Sequence, residues 1–333
     1  KSEWKKSTIG ESCCVVTDGS HFSPKSVSDG YFMVSVKDFT EYGFDFSSCK
    51  KISSQDYENL KRNGCVPQRN DILIGKDGAR YFEDIVLYNQ DEAPALLSSI
   101  AILRCDLSKI IPEFLYYLLR SPSIRQDVRD NYGSGSAIPR IILKDFKRMP
   151  ISYPDIGEQS KIVSILSIID RRIQTNSEIN DNLAELLQMV YQERFGDVGV
   201  TADQGTLSDI CSYSKDKVAV SELNTGTYFS TENMLQGKAG ATEAARLPTT
   251  PQTTACHKGD TLISNIRPYF KKIMYCEDGC GCSTDVLCFT PAQPKYAAYL
   301  FSTLYADKFF AFMVAGSKGT KMPRGDKQQI MSY

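Results

Sequence analysis

The sequence is short of nearly everything from which a catalytic site is commonly built. It holds only two histidines, His21 and His257, in 333 residues. That excludes a histidine-rich nuclease centre. No Gly-Lys-Ser/Thr closes its glycine-rich stretches, so none of them is a phosphate loop. No glycine-rich strand–turn–helix fingerprint marks a cofactor domain. The Asn-Pro-Pro-aromatic or Asp-Pro-Pro-aromatic phrase that amino-methyltransferases use in catalysis is also missing. No run of eighteen apolar residues exists, so no apolar helix spans a membrane. No charged segment followed by an apolar run opens the chain, so no signal peptide is read. An excess of positive charge is lacking too. The net charge of −1 gives no composition-level sign of a nucleic-acid partner.

The chain does have the 41% apolar and 24% charged content of an ordinary globular protein, and length for about two domains. Its eleven cysteines are an odd number without an export signal, which reads as reduced, intracellular thiols. The opening residue is Lys1 rather than methionine, which leaves the natural start open.

A long internal repeat organises the sequence. Arg69-Asn70-Asp71-Ile72-Leu73-Ile74-Gly75-Lys76-Asp77-Gly78 is matched by Lys258-Gly259-Asp260-Thr261-Leu262-Ile263-Ser264-Asn265-Ile266-Arg267-Pro268-Tyr269. Each is a turn, a short apolar strand and a polar turn, followed by a second strand-like run at residues 80–88 or 271–275. Downstream, Ser98 to Leu103 aligns with Ser283 to Cys288, and aromatic-rich helical segments follow at 112–120 and 295–310. Each copy then has a glycine-rich loop and a Pro-Arg pair, Pro139-Arg140 and Pro323-Arg324. The copies run to similar endings at Tyr153 and Tyr333, and they start alike around Thr8-Ile9-Gly10-Glu11 and Thr206-Leu207-Ser208-Asp209. Solenoid repeats are far shorter, about 20–50 residues, so this reads as a duplicated domain.

Between the copies, apolar residues Ile162, Leu166, Ile169, Ile173, Leu183, Leu187 and Val190 recur at alternating steps of four and three, with Asn176 and Asn180 at the seam positions between. That is a coiled-coil seam, in which polar residues fix register. The opposite face carries Arg171, Arg172, Glu178, Asp181 and Glu185. Such a helix would be roughly 55–60 Å long, a rod able to hold two domains at a fixed separation. The expected fold class is therefore α/β (α+β): two repeated recognition domains with curved, mostly antiparallel sheets joined by a long coiled-coil helix. The expected boundaries are residues 1–155, 156–197 and 198–333.

The order of these parts resembles the specificity subunit of type I restriction-modification systems. The resemblance rests on Pro154-Asp155-Ile156-Gly157-Glu158-Gln159-Ser160-Lys161-Ile162 before the helix, on Thr17-Asp18-Gly19-Ser20-His21, and on Ser264-Asn265-Ile266-Arg267-Pro268-Tyr269. It implies that each domain reads half of a split double-stranded DNA target. It also implies that the helices dock methyltransferase subunits, that a restriction subunit then joins, and that S-adenosylmethionine belongs to the methyltransferase rather than to this chain. A cytoplasmic, non-catalytic role follows. The family normally carries a second long helix after the second domain, and here the sequence stops at Tyr333. An apolar stripe without that partner is expected to pair with another copy or another subunit. Alternatives kept open are the recognition portion of a methyltransferase or nuclease, and a protein-binding scaffold.

DNA contacts are expected in the polar loops, from Arg and Lys toward phosphates and guanine and from Asn toward adenine. The candidates are Thr17, Asp18, His21, Lys37, Lys76, Arg80, Ser134, Ser136 and Arg140 in the first copy. In the second they are Asn233, Ser264, Asn265, Arg267, Lys271, Lys318, Lys321 and Arg324. Cys276, Cys280 and Cys282 lie close together, but they fit no zinc spacing, so no metal is expected and the sulfurs read as buried free thiols.

Overall fold

The computed structural model describes residues 4–132, 139–196 and 205–333. By backbone contact the chain divides into two units, Lys1–Thr175 and Asn176–Tyr333. Unit 1 contains strands β1 (Lys5–Thr8), β2 (Cys13–Asp18), β3 (Tyr31–Val34), β4 (Lys50–Ile52), β5 (Ile72–Gly75), β6 (Ile85–Leu87), β7 (Ala95–Leu96), β8 (Ile100–Cys105) and β9 (Pro150–Tyr153). They form an antiparallel sheet ordered β2-β8-β5-β6, a smaller sheet β4-β3-β7 whose β3–β7 pair is parallel, and the pair β1-β9.

Unit 2 contains β10 (Cys211–Tyr213), β11 (Lys217–Ala219), β12 (Tyr228–Phe229), β13 (Gln252–Cys256), β14 (Thr261–Ser264), β15 (Ile273–Tyr275), β16 (Cys280–Cys282) and β17 (Val286–Pro291). Its antiparallel sheet is ordered β10-β17-β14-β15, and its second sheet is ordered β11-β13-β16-β12 with β12–β16 parallel. The strand order of the unit 1 main sheet therefore recurs, with β5 and β14 in the same place, while the second sheet has three strands in unit 1 and four in unit 2.

Local sequence explains the recurrence. A capping box opens each unit: Glu11 N–H donates to Thr8 Oγ1 (3.3 Å) and Thr8 N–H to Glu11 Oε2 (3.1 Å), while Thr206 N–H donates to Asp209 Oδ2 (2.6 Å). Each box caps a one-turn helix that passes straight into β2 or β10. Before the central strand, a carboxylate closes a turn: Gln68 N–H donates to Asp71 (2.7 Å) and His257 N–H to Asp260 (2.8 Å). The residue just before each carboxylate is left-handed, Asn70 at φ +69° and Gly259 at +93°, conformations that Asn and Gly tolerate best.

Strand alternation then distributes the core. Ile72 and Ile74 point into a layer with Phe114, Leu115, Leu119 and Phe146, and Leu73 points the other way, toward Val34, Phe44, Leu96 and Ile102. In unit 2, Ile263 packs with Phe289, Leu300, Phe309 and Phe310, and Leu262 with Met234 and five cysteines. Helices thus cover one face of each main sheet and the second sheet covers the other.

Two details of the repeat differ from the sequence alignment. Lys76 N–H bonds Ser99 O (2.9 Å) and Asn265 N–H bonds Asp285 O (2.8 Å), so Ser99 stands where Asp285 stands and Ile102 where Cys288 stands. Aligning Leu103 with Cys288 is one residue out, and in a strand such a slip puts a side chain on the wrong face. At the ends, Ile9 N–H bonds Met149 O (3.1 Å) and Leu207 N–H bonds Tyr333 O (3.0 Å). Tyr333 therefore corresponds to Met149, not to Tyr153. The Ser-Tyr likeness was a short match that chain geometry does not support.

Helix Ile156–Phe195 is continuous over 40 residues, and Gln159 is its one buried residue. The Gln159 amide is fully used: Oε1 accepts from Ile111 N–H (2.9 Å), and Nε2 donates to Lys109 O (3.1 Å) and Pro154 O (2.9 Å). Ile162 and Val163 continue this contact with the unit 1 core. Within unit 2, Gln188 donates to Ser302 O (3.2 Å) and the Tyr191 hydroxyl meets Thr303 Oγ1 (3.0 Å). Of the expected seam, Ile169, Ile173, Asn176, Asn180, Leu183 and Val190 are exposed, while Leu166 and Leu187 are half-buried. Ile165, Ile168, Ile179, Leu186 and Met189 are exposed as well, so the apolar stripe is wider than the seam read from the sequence.

Replacing Gln159 by Leu strands two carbonyls and one N–H without partners. Unfavourable desolvation of each is worth about 1–3 kcal/mol. Chemical denaturation of Gln159→Leu is expected to show unit 1 destabilised by at least about 2 kcal/mol, and an unchanged midpoint would contradict the pin.

Candidate nucleic-acid interface

Because β2 and β5 both run antiparallel to β8, their C-terminal ends share one edge of the sheet. Asp18, the last residue of β2, meets Lys76, the first residue after β5, at 3.4 Å, and His21 approaches the same carboxylate at 3.6 Å. Thr17 precedes them, half-buried opposite Ile102. The turn after β5 is held by the Pro-Arg segment: Gly78 N–H donates to Pro139 O (2.9 Å) and Ile141 N–H to Lys76 O (3.0 Å). This sets exposed Arg140 beside Asp77 through a backbone bridge. Lys37, on the 3-10 turn Val36–Asp38, and Arg80 line a cleft of about 460 Å³ with Gly75, Asp77 and Gly78. The Arg80 guanidinium is bonded to Asp84 (2.7 Å) but remains exposed.

Unit 2 builds the same edge on the same backbone. Arg267 N–H donates to Pro323 O (2.8 Å), Gly325 N–H to Asn265 O (3.2 Å), and Ile266 bridges Arg324. Arg267 at φ +51° occupies the place of Gly78, and Lys271 at φ +49° that of Phe82 at +62°. A left-handed non-glycine residue costs about 1 kcal/mol or more, and such outliers gather at functional sites. Lys318 and Arg324 exchange two backbone hydrogen bonds of 2.9 Å, which leaves Lys321 in the loop between them. Lys318 pairs with Asp326 (2.6 Å) and Arg324 with Asp285 (3.0 Å). The Lys318 ammonium, then backbone N–H groups, hold the Asp326 carboxyl below its usual range.

Two cations of this edge were not read from the sequence. Gly237 N–H bonds Phe270 O and Lys238 N–H bonds Lys271 O, both at 2.9 Å. Lys238 and Lys271 then clamp Asp307 at 2.8 and 2.9 Å, and their hydrogen bonds lower its carboxyl pKa. Lys272 donates to Thr231 O (2.6 Å), and burial lowers its pKa. The available signal was Gly237-Lys238-Ala239-Gly240, a turn with three positive φ values. Among the described residues, Lys238, Arg267, Lys271, Lys272, Lys318, Lys321 and Arg324 have only Asp285, Asp307 and Asp326 as ion-pair partners. The edge is locally positive on a chain whose net charge is −1.

Four candidates are corrected by burial. Asn233 is 5% exposed, and its amide accepts from Ser230 N–H (2.7 Å) and donates to Tyr228 O (3.0 Å) and Thr242 O (2.8 Å). It fills the role of Asp38, which accepts from Ser35 N–H (2.8 Å), and closes a turn rather than facing a ligand. Ser264 is buried and donates to Ile266 O (3.2 Å). Lys76 is buried between Asp18 and Asp77. Asn265 is buried beneath Gly325, its Oδ1 without a hydrogen-bond partner among the described residues. Ser134 and Ser136 lie outside the described residues. No set of three His, Cys, Asp or Glu among the described residues is arranged to hold a metal ion, and none of the helices is long and apolar enough to cross a membrane.

Each unit thus combines two sheets, helices against one face of the main sheet and, at one end of that sheet, a set of cations. Residues 1–185 match the family described as type I restriction modification DNA specificity domain, and the chain belongs to that family. It is 29% identical over 184 residues to the type I restriction enzyme HindI specificity subunit of Haemophilus influenzae, across 55% of this chain and 39% of that protein. It is 30% identical over 88 residues to the MjaIX specificity subunit of Methanocaldococcus jannaschii, across 26% of this chain and 20% of that protein. The chain thus spans well under half the length of these curated relatives. In fold it is similar to the type I restriction-modification S subunit from M. genitalium, with a TM-score of 0.60 at 18% identity, covering 100% of this chain and 84% of that one.

Asn233→Ala removes four side-chain hydrogen bonds inside unit 2. A loss of about 1–3 kcal/mol in denaturant unfolding is expected, with the substituted chain, where folded, retaining the ligand preference of the parent. A shifted preference in a stable variant would restore Asn233 as a contact residue.

Proposed function

We propose that this chain is the DNA-specificity subunit of a type I restriction-modification complex, each unit reading one half of a split duplex target. The observation that carries this reading is one backbone scaffold built twice and dressed differently. Gly78 stands against Arg267, Phe82 against Lys271 and Ser99 against Asp285, while Arg140 and Arg324 coincide. A common scaffold gives both units the same approach to a duplex, and different donors and acceptors give each its own bases. Arg140, Arg324, Lys318 and Lys321 are suited to phosphates, and Arg267, Arg80 and Lys37 to base edges or the adjoining backbone. Thr17, Asp18 and His21 border the same edge.

The chain contributes binding energy rather than bond chemistry. Methyl transfer and cleavage belong to methyltransferase and restriction subunits, with S-adenosylmethionine bound by the former, in the cytoplasm where the target DNA lies. The exposed stripe of Ile169, Ile173, Leu183 and Val190, with Asn176 and Asn180 between, is the pairing surface for a second helix. That helix comes from another subunit or from a second copy. Burying such a stripe removes apolar area from water at about 25 cal/mol per Å².

Methylation mapping of the source genome with and without the gene is expected to lose one bipartite signature, and an unchanged methylome would refute the reading. In gel shifts with the methyltransferase partner, Lys321→Ala should weaken all targets alike and lower the salt slope by about 1. Arg267→Ala should relax base preference in one half-site only, by about 1–3 kcal/mol. Equal relaxation of both halves would count against independent reading. Ile173→Gln with Leu183→Gln should reduce helix-mediated association in light scattering while the folded units persist.

A further inference from the structure

Recognition makes no use of the thiols of unit 2. Their positions stand out against unit 1, which fills the equivalent inter-sheet positions with Tyr88, Leu96 and Ile102. Tyr88 N–H bonds Asp71 O (2.8 Å) where Cys276 N–H bonds Asp260 O (2.9 Å). Leu96 pairs with Val34 where Cys282 pairs with Phe229, and Ile102 faces Leu73 where Cys288 faces Leu262. Packing at these positions therefore does not require sulfur. Cys256 is added directly opposite Cys280 in the β13–β16 ladder. Cys276 Sγ lies 3.6 Å from Cys280 Sγ, about 1.5 Å beyond a sulfur–sulfur bond. Cys276 follows β15 of the main sheet and Cys280 opens β16 of the second sheet.

We propose that Cys276 and Cys280 form a reversible thiol–disulfide site that clips the two sheets of unit 2 together under oxidising conditions. Cys280 is the attacking group. It is the more accessible of the two, at 8% against 1% exposure, and hydrogen bonds from Cys256 and Cys276, with His257 adding to them, hold its thiol well below the ordinary range. The Cys280 thiolate attacks one sulfur of a low-molecular-weight disulfide of the glutathione class, and one thiol leaves. Cys276 then loses its proton and attacks Cys280 Sγ, expelling the second thiol. The protein loses two electrons and two protons, and the small disulfide gains both. The hydrogen bond to Cys280 and burial raise the Cys276 thiol, which makes this second step the slow one. The clip anchors the strand that leaves Lys271 and Lys272, and so the base of the cationic turn. The described geometry holds no three-ligand metal set, which favours sulfur–sulfur chemistry over a bound soft ion.

The test equilibrates the full chain in oxidised and reduced glutathione, quenches it with acid and alkylation, and maps its peptides by mass spectrometry. A Cys276–Cys280 linkage lighter by two hydrogens and reversed by dithiothreitol is expected. Cys276→Val should trap Cys280 as a glutathione mixed disulfide, and Cys288→Val should leave the linkage intact. Full alkylation of both residues after oxidation, a Cys256–Cys280 linkage instead, or thiols protected by a stoichiometric metal ion would each overturn the proposal. The mapping of the unsubstituted chain decides the matter even if a variant fails to fold.

Discussion

Each unit depends on one short strand buried on both faces. All four residues of β5 and of β14 are buried, and each strand is hydrogen-bonded on both sides. A strand so placed must send alternate side chains into two different layers, so its register admits no slip. The turn before it is closed by Asp71 or Asp260, and the turn after it by the Pro-Arg segment. With both ends tied, the residues just past the strand have fixed positions in space. Those positions are the candidate interface.

The long helix obeys a different constraint. Its residues are mostly exposed, so neither unit's core explains its apolar content. One side chain, Gln159, satisfies three backbone groups that would otherwise be buried without partners. The resemblance was argued partly from a phrase containing that glutamine, and the structure supplies a physical reason for it to be there. The exposed stripe farther along is the surface proposed above to pair with a second helix.

The charge problem is resolved locally. A net charge of −1 says nothing about where charges sit. In unit 2 the turns at 237–240, 267–272 and 318–324 converge through backbone hydrogen bonds, and their lysines and arginines converge with them. Several are tied to single carboxylates, so exposure and spacing are set before any ligand arrives. In unit 1 the same edge is more balanced, because Lys76 and Arg80 are each held by aspartates.

The sequence alone determined the two copies, the long helix and the family resemblance, because these rest on periodicity and order that survive without coordinates. Capping residues such as Thr8 with Glu11, and the left-handed sites at Asn70 and Gly259, act within a few residues, yet they were not read from the sequence and came only with the backbone angles and hydrogen bonds. Only the tertiary structure decided which polar residues face outward. Asn233, Ser264 and Asn265 look like base readers in a string of letters, yet all three are buried, with the Asn233 and Ser264 side chains bonded to nearby backbone and Asn265 lying beneath Gly325. Lys238 was overlooked because its partners, Lys271 and Asp307, lie far along the chain. The correspondence of Tyr333 with Met149, and of Ile102 with Cys288, also needed hydrogen-bond partners, since a ladder fixes register while similarity of a few letters does not.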